Sequence, residues 1–393
     1  MTRVVLVSGK GGVGKTTIAA ATAVRTAALG RRSLVASLDR AHNLGDVLGA
    51  KLTSEPTKIA PKLWAMEADP QLELRRQWAA LSGYFARFFA WAGLGGAQAD
   101  EIAVLPGVEE LLVLSRLTEL VESGRFELVV VDLAPTASSL RLLSFPELMA
   151  GPLGRLLKLE RTFMRVTRPA LKRVLSMPLP EDDAYRALEE LGARMMRLRD
   201  ILGNPAATVV RLVSIPERVV IDETRSAFTL LSLFGLCVDA VVLNRVLPRE
   251  LARGYLGAWT RIQAREIARA EEQFATAAML RLRFWPDEVI GVPALARIAD
   301  ELYGDRDPSL PFVDAPPLRF SDDDRVTTLE LRLPHAVGRA LDLKQRGDDL
   351  IITVGGWRRQ LPLPPSLQGR AVRSARLSGG ALVIRFEPKE ERP

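Results

Sequence analysis

The chain has 393 residues, 48% of them hydrophobic and 26% charged, with a formal net charge of +7; that is ordinary for a folded protein with a sizeable core, and long enough for two domains. Its one cysteine, Cys237, lies between Leu236 and Val238 as a buried core thiol, which excludes an intramolecular disulfide or a cysteine-only metal site within one chain and suits a reducing, cytoplasmic setting. No run of about 20 uncharged apolar residues occurs, so no signal peptide or spanning helix is expected, and the modest +7 does not by itself implicate nucleic acid.

The first element is the apolar run Val4-Val5-Leu6-Val7, followed at once by Gly9-Lys10-Gly11-Gly12-Val13-Gly14-Lys15-Thr16-Thr17 and an alanine-rich helical stretch. Strand, glycine loop and helix in that order make a phosphate-binding loop: closely spaced glycines let backbone N–H groups converge on phosphate oxygens, and the helix adds its positive N-terminal end. In such a loop Lys15 reaches the β- and γ-phosphates and the Thr16 hydroxyl ligates Mg²⁺. The expected ligand is a nucleoside triphosphate with Mg²⁺.

Strand-like runs recur at Leu34 to Leu38, Leu128 to Val131, Val209 to Val213, Val238 to Leu243 and Arg281 to Trp285, with helical segments between them. This rhythm predicts an α/β fold with a parallel, helix-covered sheet. Asp39 ends the second run and Asp132 the third, where carboxylates face the nucleotide crevice. One is placed to orient the attacking water and the other to hold Mg²⁺, directly or through water; helix capping or salt bridging is the other reading of each. His42, close by, reads as a surface or capping residue.

Helical insertions are expected at about 66–120 and 146–203. The second carries Met164, Met177, Met195 and Met196, and within it Arg155, Lys158, Arg161, Arg165, Arg168, Lys172 and Arg173 line one helix face opposite an apolar one. A basic amphipathic helix can lie on a membrane or bind another helix, or it can be the solvated face of a packed helix. Methionine adapts to varied apolar partners, which suits a groove for hydrophobic segments, although most methionines are core residues.

After Tyr303 the prolines at 308, 311, 316 and 317 mark a linker over 305–318, following a first domain at 1–304. Beyond it Leu329, Leu331 and Leu333, then Leu341 and Leu343, then Leu350, Ile352 and Val354 alternate with polar neighbours, and Gly347-Asp348, Gly355-Gly356 and Gly379-Gly380 signal turns. Residues 319–388 are expected to form a small antiparallel β-sandwich.

The loop Gly9 to Thr17, Asp39-Arg40-Ala41-His42-Asn43, Asp132 to Leu143, Ile215-Pro216-Glu217 and Leu243-Asn244-Arg245 together resemble the arsenite-pump and tail-anchored-protein-targeting ATPases, over residues 1 to about 303. Leu350 to Gly355 and Leu382 to Phe386 resemble the small heat-shock (α-crystallin-like) module that some bacterial and plastid members carry. The resemblance implies a P-loop ATPase with a deviant Walker A loop whose second lysine, Lys10, crosses a homodimer interface to the partner's nucleotide. It also implies that Asp39 polarises the hydrolytic water, that Glu217 and Asn244 contact the nucleoside, and that a methionine-bearing groove receives hydrophobic helical clients near membranes.

Three departures bear on function. The Cys-x-x-Cys pair with which eukaryotic targeting factors hold zinc is missing, so no zinc and no iron–sulfur cluster are expected. A lone thiol and the lack of a tandem ATPase half disfavour an arsenite pump subunit. Arg40 stands where the family has proline, and Ala137 and Ser138 where it has glycine and histidine, so Ala137 restricts the backbone of a switch segment. A partition or positioning ATPase that binds DNA or a membrane surface is the alternative from another class; it leaves the insertions and the sandwich without a role.

Overall fold

Uninterrupted apolar stretches form the middle of the larger sheet because both of its faces are covered by helices. The structure, a computed structural model, describes residues 2–38, 43–69, 72, 108–133, 182–313, 316–323, 326–336 and 341–387. Eight strands lie side by side in the order β3 (Thr57–Ala60), β4 (Leu63–Glu67), β2 (Ser33–Ser37), β5 (Leu128–Asp132), β1 (Arg3–Gly9), β6 (Thr208–Ser214), β7 (Val238–Val246) and β8 (Ala278–Arg283). All run parallel except the edge strand β3, which is antiparallel to β4. The expected α/β fold with a parallel sheet is therefore present.

Two details differ from the sequence reading. The hairpin β3–β4 precedes the first insertion. The last parallel strand ends at Arg283; the Phe284 N–H still donates to the Val246 carbonyl of β7 at 2.8 Å, and Trp285 lies beyond the strand.

The helices are α1 (Lys15–Ala28), α2 (Leu44–Leu48), α3 (Val108–Glu122), α4 (Asp182–Gly203), α5 (Arg218–Leu233), α6 (Gly257–Gln273) and α7 (Val292–Tyr303). Ile18, Ala20 and Ala21 of α1 share a buried cluster with Leu295, Ile298 and Leu302 of α7; alanines on α1 let the two helices lie close. Ala68–Glu119 and Thr136–Ile201 form a compact unit of their own. Its described parts include most of α3 and α4, joined by an Arg194–Glu119 ion pair at 2.8 Å. Along α4, Met195 and Leu198 are buried while Met196 is 47% exposed. Among the described residues no helix is long and apolar enough to cross a membrane.

The C-terminal strands make two antiparallel sheets: β9 (Leu318–Asp323), β10 (Val326–Arg332), β14 (Val372–Ser378) and β15 (Ala381–Phe386) in the order β14-β15-β10-β9, and β11 (Leu341–Arg346), β12 (Asp349–Val354) and β13 (Trp357–Pro362). Leu329, Leu331, Ile352, Val354, Ile384 and Phe386 are buried in it, and the three glycine turn signals fall between paired strands.

The proline-rich connection is fastened to the larger domain. Arg211 on β6 and Asp239 on β7 are fully buried, 3.4 Å apart. The Arg211 Nη2 also donates to the carbonyls of Pro308 (2.8 Å) and Leu310 (3.3 Å), and the Phe312 N–H donates to Asp239 Oδ2 at 3.2 Å. The guanidinium lies 4.3 Å from the Phe312 ring centroid, a cation–π contact strengthened by the absence of solvent. Nearby, the Ser309 N–H and Oγ donate to Asp307 Oδ1 at 2.9 and 2.6 Å, and the Arg31 Nη2 to Oδ2 at 2.7 Å.

Burial alone raises the Asp307 pKa, but the Ser309 and Arg31 hydrogen bonds outweigh it and hold the carboxyl below its ordinary value. A carboxyl that titrates lower when folded stabilises fully above its unfolded pKa, about 3.9, and loses that contribution as pH falls through the folded value. Asp307→Asn is therefore expected to lower the urea midpoint at neutral pH, and the gap to wild type to close below about pH 4. A gap independent of pH would show that the carboxylate charge is not what holds the connection.

Candidate functional site

The loop after β1 lies at the middle of the sheet, between β5 on one side and β6 on the other. Strand register sets Val7 beside Asp132 and Gly9 beside Val213. A Cβ on Gly9 would stand 2.2 Å from the Val213 carbonyl oxygen, and one on Gly14, at φ +94°, would stand 2.4 Å from the Asn244 amide nitrogen. Neither position has room for a side chain, whereas Gly11 and Gly12 border open space. Gly14 precedes α1 with no capping side chain, and no acidic residue sits in the first turn. The helix's first N–H groups and its positive end are thus left for an anion.

Lys15 is largely buried, with 7% exposure, and its Nζ donates to the Lys10 carbonyl at a long 3.4 Å. The Thr16 Oγ1 donates to Asp132 Oδ2 at 2.6 Å, and Asp132 is buried at the end of β5. A hydroxyl and a carboxylate oxygen side by side beside the loop are the hard oxygen donors that Mg²⁺ takes together with substrate phosphates. Among the described residues no group of three or more His, Cys, Asp or Glu is placed to hold a metal ion by itself, and a Mg²⁺ that arrives with substrate phosphates needs no such group. The residues fit the group.

Asn244 sits where β7 runs past the loop, its Nδ2 donating to the Val13 carbonyl and its Oδ1 accepting the Arg245 N–H, both at 2.8 Å. Arg245, still within β7, has φ +58°, at the irregularity where the pairing with β8 shifts register between Leu243 and Val246. Gln263 on α6 secures this irregularity, its Nε2 donating to the Arg245 carbonyl (3.2 Å) and its Oε1 accepting the Leu247 N–H (2.8 Å). A cleft of about 370 Å³ opens beside the loop, lined by Gly14, Thr17, Asn244, Arg245 and Trp285 among others. Glu217 is not in its wall; it stands exposed as the N-cap residue of α5.

Lys10 is exposed at the loop's start and pairs with Glu223 of α5, Nζ to Oε1 at 2.9 Å. Cys237 is buried, as expected. Asp39, His42, Ala137, Ser138, Met164 and Met177, with the basic stripe from Arg155 to Arg173, lie outside the described residues. Gln263, Glu223 and Trp285 were not singled out from sequence. Only the alternation of β8, followed by two aromatic residues, could have pointed to Trp285.

The family model described as "Anion-transporting ATPase" matches residues 2–304, and one described as "HSP20-like domain found in ArsA" matches residues 324–386. The chain is 35% identical over 370 residues to a "Putative arsenical pump-driving ATPase" of Chlorobaculum tepidum, covering 93% of this chain and 91% of that one. It is 33% identical over 392 residues to "Putative arsenical pump-driving ATPase 1" of Aquifex aeolicus, covering 97% and 99%. A more distant relative is the "ATPase ASNA1 homolog" of Dictyostelium discoideum, 28% identical over 319 residues, covering 79% of this chain and 92% of that one. Sheet, phosphate loop and sequence similarity agree: the chain belongs to the ArsA-type anion-transporting ATPase family, in the form that carries a C-terminal HSP20-like domain.

Proposed function

We propose that the chain is an ATP-hydrolysing, homodimeric targeting factor that takes up hydrophobic helices, including those of tail-anchored or other membrane proteins, in a nucleotide-controlled groove. The observation that carries this reading is α4 in the insertion unit, with Met195 and Leu198 inward and Met196 exposed, on a chain whose single thiol is buried. Such a helix offers adaptable apolar surface to a client, whereas a metalloid would need several thiols.

In this reading Gly9 to Thr17 cradle the phosphates, Lys15 draws their charge, and the cleft beside Asn244 and Trp285 takes the nucleoside. Thr16 and Asp132, directly or through water, hold Mg²⁺, which when bound supplies positive charge at the phosphate oxygens. Asp39 orients the attacking water, and Lys10 reaches the partner subunit's nucleotide. ATP thereby draws two copies together, and hydrolysis releases them and the client; contact with a membrane is transient.

The test measures ATP hydrolysis by wild type and Asp39→Asn, together with solution mass with and without ATP and a transmembrane peptide. The variant is expected to lose turnover by about 10²- to 10⁴-fold while still binding nucleotide, and the wild type to dimerise and retain peptide only with ATP. Turnover without ATP-dependent dimerisation or peptide capture would overturn the targeting role and leave the ATPase.

A further inference from the structure

Asp222 and Glu223 are adjacent on α5 but point to different partners. Asp222 fixes α5 to α6 through Arg269, Nη2 to Oδ1 at 2.7 Å. Glu223, about 100° further round the helix, reaches the phosphate loop and takes the Lys10 ammonium at 2.9 Å. That pairing joins residues 213 apart in sequence and engages the one loop lysine that is exposed. An ammonium in an ion pair with Glu223 is not available to a phosphate.

The far end of the same helix is gripped by the C-terminal module. The guanidinium of Arg359, on β13 and nearly buried, donates from Nη1 to the Leu233 carbonyl at 2.5 Å. A cation at a helix C-terminus also answers the dipole. Gly235, at φ +85°, makes room for it: a Cβ there would lie 3.4 Å from both terminal guanidinium nitrogens. One turn earlier the Thr229 Oγ1 donates to the Pro334 carbonyl at 2.5 Å, and Phe228 and Phe274 pack edge-on against His335. A 16-residue helix is a stiff rod of about 24 Å.

We propose that Glu223 is a positioning residue for ATP hydrolysis: it parks Lys10 away from phosphate, and the HSP20-like module, by gripping the opposite end of α5, sets how firmly it does so. The module is then a brake on the ATPase acting through α5, released when something displaces it from that helix. This rests on the reading that Lys10 serves phosphate, so the experiment includes Lys10.

Steady-state hydrolysis is compared at low and high salt for wild type, Lys10→Ala, Glu223→Gln, Glu223→Asp, Arg359→Gln and the pair Glu223→Gln/Arg359→Gln, with circular dichroism to establish folding. Glu223→Gln is expected to raise kcat/KM about two- to fivefold, the range an exposed ion pair gives, and Glu223→Asp, which keeps the charge, to stay nearer wild type. Added salt screens an exposed pair, so the ratio of Glu223→Gln to wild type should shrink towards one. Arg359→Gln should raise the rate in the same direction, with no further gain in the pair. Should Lys10→Ala slow hydrolysis while Glu223→Gln equals wild type at every salt concentration, Lys10 serves phosphate but Glu223 does not park it. Additive effects of the pair would separate the module from Glu223, and Lys10→Ala equal to wild type would remove the reading beneath the proposal.

Discussion

Lys15→Met lowers kcat/KM for ATP by about 100- to 1,000-fold or more, the loss seen when one preorganised group facing developing charge is removed. The expectation rests on burial and aim. The Lys15 side chain is 7% exposed, and its Nζ has the Lys10 carbonyl at 3.4 Å, a weak partner for an ammonium withdrawn from water. Such a charge becomes well satisfied when phosphate oxygens enter. Methionine keeps the unbranched stem, so the lost activity reports the charge and not a collapsed loop. Phosphate release gives the rate, and ATP-dependent thermal stabilisation, which follows ligand concentration over Kd, gives the binding. The variant should lose both while its unliganded unfolding midpoint stays at or above wild type. Activity within tenfold of wild type would take Lys15 out of the reaction.

The second large effect is on stability. Asp239→Leu leaves the Arg211 guanidinium buried without its carboxylate and is expected to cost about 3–5 kcal/mol, measured by urea unfolding of the full chain. Burial pushes the Asp239 carboxyl up, and attraction to Arg211 only partly offsets that. Arg211 keeps its proton more firmly than usual despite burial, because of Asp239 first and Tyr303 second. The pair is therefore a poor source of net stability and a severe liability when halved. Arg211→Met combined with Asp239→Leu should recover most of the loss, since replacing both partners of a buried pair by apolar groups is often neutral. A single variant costing under about 1 kcal/mol would mean that the site admits water.

Local chemistry made much of this legible. Three glycines before a lysine and two threonines can be read without any tertiary contact, and so can fully buried parallel strands and the period-two strands of the tail. The hairpin β3–β4 was hidden because its turn is Pro61-Lys62, with Lys62 at φ +59°, where Asn-Gly or Asp-Gly would have announced it. The Lys62 carbonyl accepts the Ser33 N–H at 2.9 Å, and the Lys62 Nζ donates to the Gly30 carbonyl. The aromatic pair after β8 prolonged an apolar pattern beyond the point where the edge strand ends. In the site, Asn244 could be named from its place at a strand end, but its bond to the Val13 carbonyl joins residues 231 apart. Glu223 and Gln263 are ordinary helix-surface residues until the fold brings a loop to them.

The stretch just after Tyr303 has a further consequence. The two family models meet the chain on either side of the connection, one ending at residue 304 and the other starting at residue 324, which draws two beads on a string. Mechanically the string begins later. Pro308, Leu310 and Phe312 are wedged into the nucleotide-binding half by a guanidinium in its centre. Evolution's joint and the mechanical joint are thus different places, and a cut at the first would open a hole in the ATPase itself. Whatever pulls on the small β-domain pulls, through some ten residues of anchored chain, on β6, the strand beside the phosphate loop's own strand.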